Sequence, residues 1–506
     1  MRRYVFLLHR WTGIAMCLLM AAWFVSGVVM LFVGYPKLTP SERLSSLPVL
    51  AAAGSYLEPA QALRLAASPG VVEGITLTTI AGRPQYVLHD SGGGLTRIDA
   101  LASGALRSVA ATTGPALPRA DVATALAAAQ MFRPGAEAHY AGLVQEDRWT
   151  HGRGLNPHRP LHVVELDDAD ATRVYVSSAT GQVVLDAPRA ERYWNFVGAW
   201  LHWLYMLRDQ PTDPVWSWTV IGLSAVGVFS AATGLLNGIW RWRFSGRYKN
   251  GARTPYRDAA MRWHHLLGLG FGLVLCTWMF SGLMSMNPLR IFDPAMRPDI
   301  QALQGATPAQ SRITGPVPSM LRLLAAQSFS ARELEWRVLD GEPYVLARNG
   351  SKEVRIVTES DGVLQVRKQW PEPRLIAAAA RSVAYPVAAV ERLERHDAFY
   401  YAREQASMYG GYERRLPALR VAFADPGATW IYLDMQTGQV ELSLDRMQRA
   451  GRWLFNFLHS WDVPALLTPG WPRELVLTVL SIGGLLLSVT ASIIGWRRVR
   501  KSASQR

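Results

Sequence analysis

The chain has 506 residues, 49% of them hydrophobic, and carries a formal net charge of +14. Its length allows several domains, and a mean hydropathy of +0.05 argues against both a purely water-soluble enzyme and a transporter built only of membrane spans. The excess positive charge lies in three short segments beside apolar runs, which together hold fifteen bases and one acid. That distribution is typical of cytoplasmic loops in membrane proteins and argues against a nucleic-acid partner.

Residues 1–36 open with two arginines and continue as an apolar run long enough to cross a bilayer core of about 30 Å. Because no small-x-small cleavage site follows, the run is predicted to be an uncleaved first span with its N terminus in the cytoplasm. Residues 37–190 mix helical and strand-like patterns separated by Gly-rich turns, which predicts a periplasmic α+β domain made of two similar units. Helices are expected at 59–67 and 121–132, and strands at 75–78, 85–88, 95–99, 161–166 and 173–177.

Residues 191–208 are rich in aromatic side chains, a composition typical of a helix at the outer membrane interface. Pro211 and Pro214 are expected to end that helix. The remaining elements are predicted as a second span at 215–242, a basic cytoplasmic loop at 243–260, a third span at 261–288, a second periplasmic α+β domain at 289–446, a second interfacial helix at 447–462, a fourth span at 472–496 and a cytoplasmic tail at 497–506. The predicted fold class is therefore a four-span helical bundle with two periplasmic α+β inserts.

The second half of the sequence repeats the first. Because each half is predicted to begin and end in the cytoplasm, the copies would be parallel repeats related by an axis along the membrane normal. Matching residues would then lie at the same depth. The matches are His264, Gly268 and Trp278 with His9, Gly13 and Trp23 at a shift of 255, and Thr437-Gly438-Gln439 and Leu458-His459 with Thr180-Gly181-Gln182 and Leu201-His202 at a shift of 257.

Four of the eleven histidines form two repeat-matched pairs. His9 and His264 lie near the cytoplasmic ends of the first and third spans, whereas His202 and His459 lie near the outer face. Two imidazoles at one depth on either side of an axis can both bind an iron on that axis, as in a haem with two axial histidines. The pairs therefore predict two haems b, one above the other.

His265 adjoins His264 and is the alternative ligand, but only His264 matches His9. The two cysteines form no CxxCH motif, so any haem would be held without a covalent bond. Arginines at the cytoplasmic ends of the spans are candidate partners for haem propionates, although they also fit a role in topology. These arginines are Arg10, Arg241 and Arg262.

Other interpretations of the histidines remain open. A single histidine near a membrane interface is often structural, although ionisable groups within spans tend to mark function. Zinc usually takes three or four ligands, and the spans contain almost no carboxylate. Copper bound through methionine is a further alternative because methionines line the spans, although a methionine in a span more often faces lipid or fills the core. The candidates are Met16, Met20, Met30, Met279, Met284 and Met286.

Two loops of the predicted outer domains are rich in basic and aromatic residues. They could hold an anionic ferric complex near the outer haem, or be ordinary loops or contacts to lipid headgroups. The first contains Trp149, His151, Arg153, His158, Arg159 and His162, and the second contains Tyr400, Tyr401, Tyr409, Tyr412, Arg414 and Arg415.

Three motifs recur at matched positions: His-x3-Gly at 9–13 and 264–268, Leu-His at 201–202 and 458–459, and Tyr-x-Asp/Ser-x3-Gly at 175–181 and 432–438. A Thr-Gly pair at 233–234 lies near the end of span two. Over essentially the whole chain these motifs resemble the PepSY-associated transmembrane family, which includes PiuB-like iron-regulated inner-membrane proteins. Span four departs from span two, with Ala491 in place of Gly234.

The resemblance implies an inner-membrane protein similar to ferric-siderophore reductases, which carry b-type haems on such histidines. The expected function is electron transfer through two haems to a periplasmic ferric siderophore, with a cytoplasmic enzyme or a quinol as electron donor. The alternative is a non-redox protein, namely a membrane-anchored ligand-binding, peptidase-modulating or iron-uptake accessory module. PepSY units alone do not specify reduction.

Overall fold

A computed structural model describes residues 1–66, 71–101, 117–208, 213–308, 315–404, 407, 410–468 and 470–504. Three residues used in the sequence predictions, Ala67, Pro211 and Tyr409, lie outside these ranges. The helices are α1 (Arg2–Phe32), α2 (Pro40–Ser46), α3 (Pro59–Ala66), α4 (Val122–Phe132), α5 (Arg189–Asn195), α6 (Pro214–Arg241), α7 (Ala259–Ser285), α8 (Ile300–Gln304), α9 (Val317–Ala326), α10 (Glu372–Ser382), α11 (Arg446–Gly451), α12 (Leu458–Ser460), α13 (Pro464–Leu467) and α14 (Trp471–Ala503).

Four of the described helices, α1, α6, α7 and α14, are long and apolar enough to cross a membrane, which confirms the prediction of four helical spans. Local sequence fixes where two of them begin. Asp213 accepts hydrogen bonds from the first backbone N–H groups of α6, where Pro214 occupies the first turn, and Asp258 caps α7 in the same way. Such caps satisfy N–H groups that have no partner within the helix.

The four long helices form a bundle in which α1 and α7 each pack against both α6 and α14. Helices α1 and α7 therefore lie diagonally opposite each other. Close approach between neighbours depends on glycine, because a Cβ on Gly484 of α14 would lie only 2.1 Å from the ring of Phe24 of α1. The centre of the bundle contains Met20, Phe24 and Trp278, all buried.

The three basic segments meet at one end of the bundle, here called the basic end. Arg497 at the end of α14 pairs with Asp258 at the start of α7 at 3.1 Å. Near the start of α1, the guanidinium of Arg2 lies 5.5 Å from the ring centre of Trp240 in α6. The strands lie beyond the opposite end, here called the sheet end.

Strand order shows that the two sheet-rich regions are joined. One seven-stranded sheet has the order β11-β10-β9-β8-β1-β2-β3, and two four-stranded sheets have the orders β4-β5-β6-β7 and β12-β13-β14-β15. The strands are β1 (Val72–Ile80), β2 (Arg83–Asp90), β3 (Leu95–Asp99), β4 (Glu137–Val144), β5 (Leu161–Asp167), β6 (Arg173–Ser177), β7 (Val183–Ala187), β8 (Glu333–Leu339), β9 (Glu342–Arg348), β10 (Val354–Ser360), β11 (Val363–Arg367), β12 (Val387–Leu393), β13 (Ala418–Phe423), β14 (Trp430–Asp434) and β15 (Val440–Leu444).

The junction between the halves is the antiparallel pair β1 and β8, where Ile75 stands opposite Trp336. Trp336 is almost fully buried and its ring packs against Tyr86 of β2. Arg43 of α2 donates two hydrogen bonds to the carboxylate of Glu333 of β8, with nitrogen–oxygen distances of 2.7 and 3.0 Å. The sequence pattern predicted two separate inserts. In the structure the two α+β regions are joined, because both contribute strands to the seven-stranded sheet and side chains to the core beside it.

We expect Trp336→Ala to destabilise both halves of the seven-stranded sheet, because the cavity it leaves costs about 3–5 kcal/mol and lies at the junction. Hydrogen exchange read by mass spectrometry should show loss of amide protection in β1–β3 as well as β8–β11. Val363→Ala, at the exposed edge in β11, should leave exchange unchanged. Unaltered protection of β1–β3 in Trp336→Ala would contradict a shared sheet.

Candidate functional site

The first histidine pair meets across the diagonal of the bundle near its basic end. His9 of α1 and His264 of α7 have ring centroids 6.1 Å apart, and their ring planes are inclined by 28°. Because α1 and α7 are not neighbours, the two rings reach toward each other through the centre of the bundle. The structure thus brings together two residues that are 255 positions apart in the sequence.

Each ring of this pair is held through its Nδ1 atom by a flanking helix. Nδ1 of His9 lies 3.0 Å from the carbonyl oxygen of Ser230 in α6, and Nδ1 of His264 lies 3.2 Å from Oγ1 of Thr490 in α14. The Thr490 hydroxyl donates to the carbonyl of Leu487, so its oxygen accepts from the imidazole. With the proton on Nδ1, the Nε2 atom keeps the lone pair that binds metals.

The second pair lies toward the sheet end of the bundle. The ring centroids of His202 and His459 are 6.2 Å apart, and the planes are inclined by 74°. Nδ1 of each ring lies 3.0 Å from a serine hydroxyl, Ser26 of α1 for His202 and Ser281 of α7 for His459. Both hydroxyls donate to carbonyls of their own helix, so here too Nδ1 donates and Nε2 keeps its lone pair.

Irregular backbone positions the second pair. A π-helical turn at Phe196–Trp200 comes just before His202, and another at Arg452–Phe457 comes just before His459. Two residues after each histidine the chain adopts a left-handed conformation, with φ of 54° at Leu204 and 49° at Trp461. π-helical turns are rare in proteins overall, and those that do occur are often found at functional sites. Sequence reasoning expected a plain interfacial helix at these positions and gave no sign of the wide turns.

The two pairs are separated along the bundle by most of its length. His9 and Ser26 are 17 residues apart on α1, as are His264 and Ser281 on α7, which corresponds to about 25 Å of helix. Between the pairs, the rings of Phe24 and Trp278 meet across the diagonal with centroids 5.9 Å apart. One planar cofactor therefore does not reach both pairs.

His265, the alternative ligand in the sequence, has both ring nitrogens occupied by protein atoms. Nδ1 lies 2.7 Å from Oγ1 of Thr254, and Nε2 lies 2.9 Å from the carbonyl oxygen of Gly238. The ring is buried and packs against Trp242 and Tyr256. His265 therefore ties α7 to α6 and the loop between them, and it has no lone pair left for a metal.

The three candidate arginines take different positions at the basic end. The guanidinium groups of Arg10 and Arg241 both lie near the ring of Phe6, at 5.4 and 5.1 Å from its centroid. The Nε atom of Arg10 is buried and has no hydrogen-bond partner among the described residues. Arg262 is exposed. Arg10 and Arg241 are therefore the two arginines placed close together beside α1.

The donor set fits a haem better than zinc. Among the described residues there is no group of three or more His, Cys, Asp or Glu side chains that could hold a metal ion. Each site instead offers two imidazoles. Two metal–nitrogen bonds of about 2 Å and the radius of each ring predict roughly 6 Å between ring centroids, which agrees with 6.1 and 6.2 Å.

The basic and aromatic loops divide into core residues and cavity residues. Tyr400 is fully buried and stacks on Tyr432, while His162 is held by Tyr140 and the carbonyl of Ala120, so both belong to the cores. Burial lowers the pKa of His158 to about 4, which keeps that ring neutral. Trp149 lines one cavity of about 870 Å³, and Tyr401, Tyr412 and Arg414 line another of about 460 Å³. Three further side chains are held in ion pairs, His151 and Arg159 with Glu146, and Arg415 with Asp434.

A family model described as PepSY-associated TM region matches residues 6–498. The chain belongs to this family. No curated protein matches the chain. The match covers the bundle and the sheets together, so the family resemblance noted from the motifs is confirmed, and it includes all four paired histidines.

Gly234 of α6 provides the space for the His9 ring, since an added Cβ would lie 2.6 Å from Cε1 of His9. We expect Gly234→Ala to lower the midpoint of thermal unfolding in detergent, because overpacking costs about 1–3 kcal/mol. Gly222→Ala on the same helix meets open space and should be neutral. In the double variant with His9→Ala, the loss should be smaller than the sum of the single losses; additive losses would contradict this contact.

Proposed function

We propose that this protein transfers electrons across the inner membrane through two haems b and reduces a ferric chelate, such as a ferric siderophore, in the periplasm. The observation that carries the proposal is the meeting of two imidazole pairs across the bundle, at 6.1 and 6.2 Å, with all four Nδ1 atoms held by the protein. His9 and His264 would bind one haem, and His202 and His459 the other.

Matched contacts support the proposed duplication. Ser26 and Ser281 serve the second pair in the same way, and Leu204 and Trp461 share a left-handed backbone at a shift of 257. The cluster of three basic segments at one end supports a cytoplasmic location for that end and for both termini, since positive residues remain on the cytoplasmic side. The sheets would then lie in the periplasm.

Bound haem would supply one-electron chemistry, with the iron alternating between the ferric and ferrous states. The chain contributes the rest. The Nδ1 partners fix the direction of each imidazole and increase its basicity as a ligand. The buried bundle core of Met, Phe and Trp side chains excludes water between the pairs, and Arg10 and Arg241 would neutralise propionates at the basic end.

The reaction requires one electron for each ferric ion. A cytoplasmic enzyme or a quinol would donate it at the basic end, and the ferric chelate would accept it at the sheet end to become a ferrous chelate. The electron transfer itself forms or breaks no bond to the protein. Ferrous iron is held more weakly by hard oxygen chelators, so reduction would release iron from the chelate.

The haem-to-protein ratio of purified variants tests the assignment. We expect two haems in the wild type, one in each of His9→Ala, His264→Ala, His202→Ala and His459→Ala, and two in His265→Ala, which serves as the control. His9→Ala and His264→Ala should remove the same haem, seen as the same change in the reduced-minus-oxidised spectrum.

A colourless protein from haem-replete cells would overturn the redox function. The result would instead favour a membrane-anchored PepSY module that binds a ligand, modulates a peptidase or assists iron uptake without redox chemistry. Full haem content in all four paired variants would show that haem binds elsewhere.

A further inference from the structure

The cavity of about 460 Å³ lies where the second half of the chain meets the sheet end of the bundle. Its wall includes the end of α7, the π-helical turn Arg452–Phe457, and the segment that precedes β13. Its volume falls within the range of about 300–1,000 Å³ that is usual for small-molecule sites. The cavity therefore suits a small ligand or one edge of a larger one.

The wall of this cavity is positively charged. Arg403, Arg414 and Arg452 line it, and no carboxylate is among its described lining residues. The acids that pair with these arginines stand behind the wall: Asp462 pairs with both Arg452 and Arg403, at 2.9 and 3.3 Å, and Glu441 pairs with Arg414. Three cations thus face two carboxylates, which leaves a net positive charge beside the cavity.

Two of the three guanidinium groups have a buried nitrogen without a hydrogen bond among the described residues: Nε of Arg403, and Nη1 of Arg452, which contacts only its ion-pair partner Asp462. The side chain of Arg403 is only 12% exposed. A buried charged donor without a partner is costly, so a ligand that accepts from it gains affinity. This observation points to an anionic ligand.

Aromatic rings complete the wall. Phe399, Phe455 and Tyr412 line the cavity, and Tyr412 is 62% exposed, so its ring is accessible from solvent. The guanidinium of Arg414 lies 5.6 Å from the ring centre of Tyr412. An aromatic ligand would gain stacking and cation–π contacts here that an aliphatic one would not.

The cavity lies next to the second histidine pair, because one of its lining residues, Phe455, contacts His459. The ring centroid of Phe455 lies 5.6 Å from that of His459, and Nη1 of Arg403 lies 3.4 Å from the hydroxyl of Ser460, the residue after His459. A ligand in the cavity would therefore sit beside the outer haem site.

The corresponding region of the first half differs in chemistry. Its cavity of about 870 Å³ is lined by three arginines, Arg148, Arg173 and Arg192, and also by the carboxylate of Asp147. At a shift of 257, the first half has Asn195 and Tyr205 at the positions of the buried ion pair between Arg452 and Asp462. Both cavities therefore have arginines in their walls, and the second differs in having no lining carboxylate among the described residues and in its buried ion pair of Arg452 and Asp462.

We propose that the second-half cavity is the substrate site and that it binds an anionic ferric chelate with aromatic donor groups, of the catecholate class. This rests on the proposed redox function. The chelated ferric ion would accept one electron from the ferrous iron at the His202–His459 site, which becomes ferric, and would leave as a ferrous chelate.

Binding of a redox-inert probe to the full-length protein in detergent tests the site separately from electron transfer. We would measure the gallium(III) complex of catechol, which is anionic, and that of acetohydroxamate, which is neutral, by equilibrium dialysis. We expect the catechol complex to bind more tightly. Arg414→Gln and Tyr412→Ala should each weaken it about tenfold, the size of one lost charge-assisted or stacking contact.

Arg395→Gln is the matched control, because Arg395 is exposed in the same domain and does not line the cavity. The affinity of this variant for the gallium complex of catechol should equal that of the wild type.

Equal affinity for that complex in all variants would overturn the site, and equal affinity of the wild type for both complexes would overturn the proposed class of substrate. A haem-loaded protein without gallium binding would refute the cavity alone. A colourless protein that shows the expected variant pattern would refute the electron route and retain the binding site.

Discussion

The structure depends on the hydrogen bonds that hold four imidazole rings inside an apolar helical bundle. A buried polar ring is costly unless its polar atoms have partners, and in all four paired histidines Nδ1 is hydrogen-bonded to an oxygen of the protein. That bond fixes the position of the ring. Because partners stand on the diagonal of the bundle, each pair faces one point near its centre.

This arrangement explains several local features that would otherwise be unfavourable. Gly234 has no side chain because the His9 ring occupies the space of a Cβ, and Gly484 admits the ring of Phe24. The π-helical turns before His202 and His459 carry those rings into the bundle from segments that lie outside the long helices. At the far end, pairing of β1 with β8 ties the two halves together.

The two halves are alike within the bundle and different outside it. The second histidine pair has matching serine partners, whereas in the first pair His9 contacts a backbone carbonyl and His264 a threonine hydroxyl. The buried ion pair of Arg452 and Asp462 beside the cavity occurs in the second half alone among the described residues. Under the proposed function, two similar histidine pairs would lead to two cavities with different linings.

The amino-acid sequence by itself determined the four spans, the α+β character of the other segments and the family. It also singled out His9, His264, His202 and His459. These features can be read from the sequence because apolar length, charge distribution and a repeat are local or one-dimensional signals. Tertiary structure decided what depends on contacts between distant residues: the seven-stranded sheet shared by both halves, the role of His265 as a tie to Thr254 and Gly238, and the division of the aromatic loops into core and cavity. Periodicity shows which face of a strand is buried, but not which strand becomes its neighbour. Strand pairing between residues more than 250 positions apart is set by packing of the whole molecule.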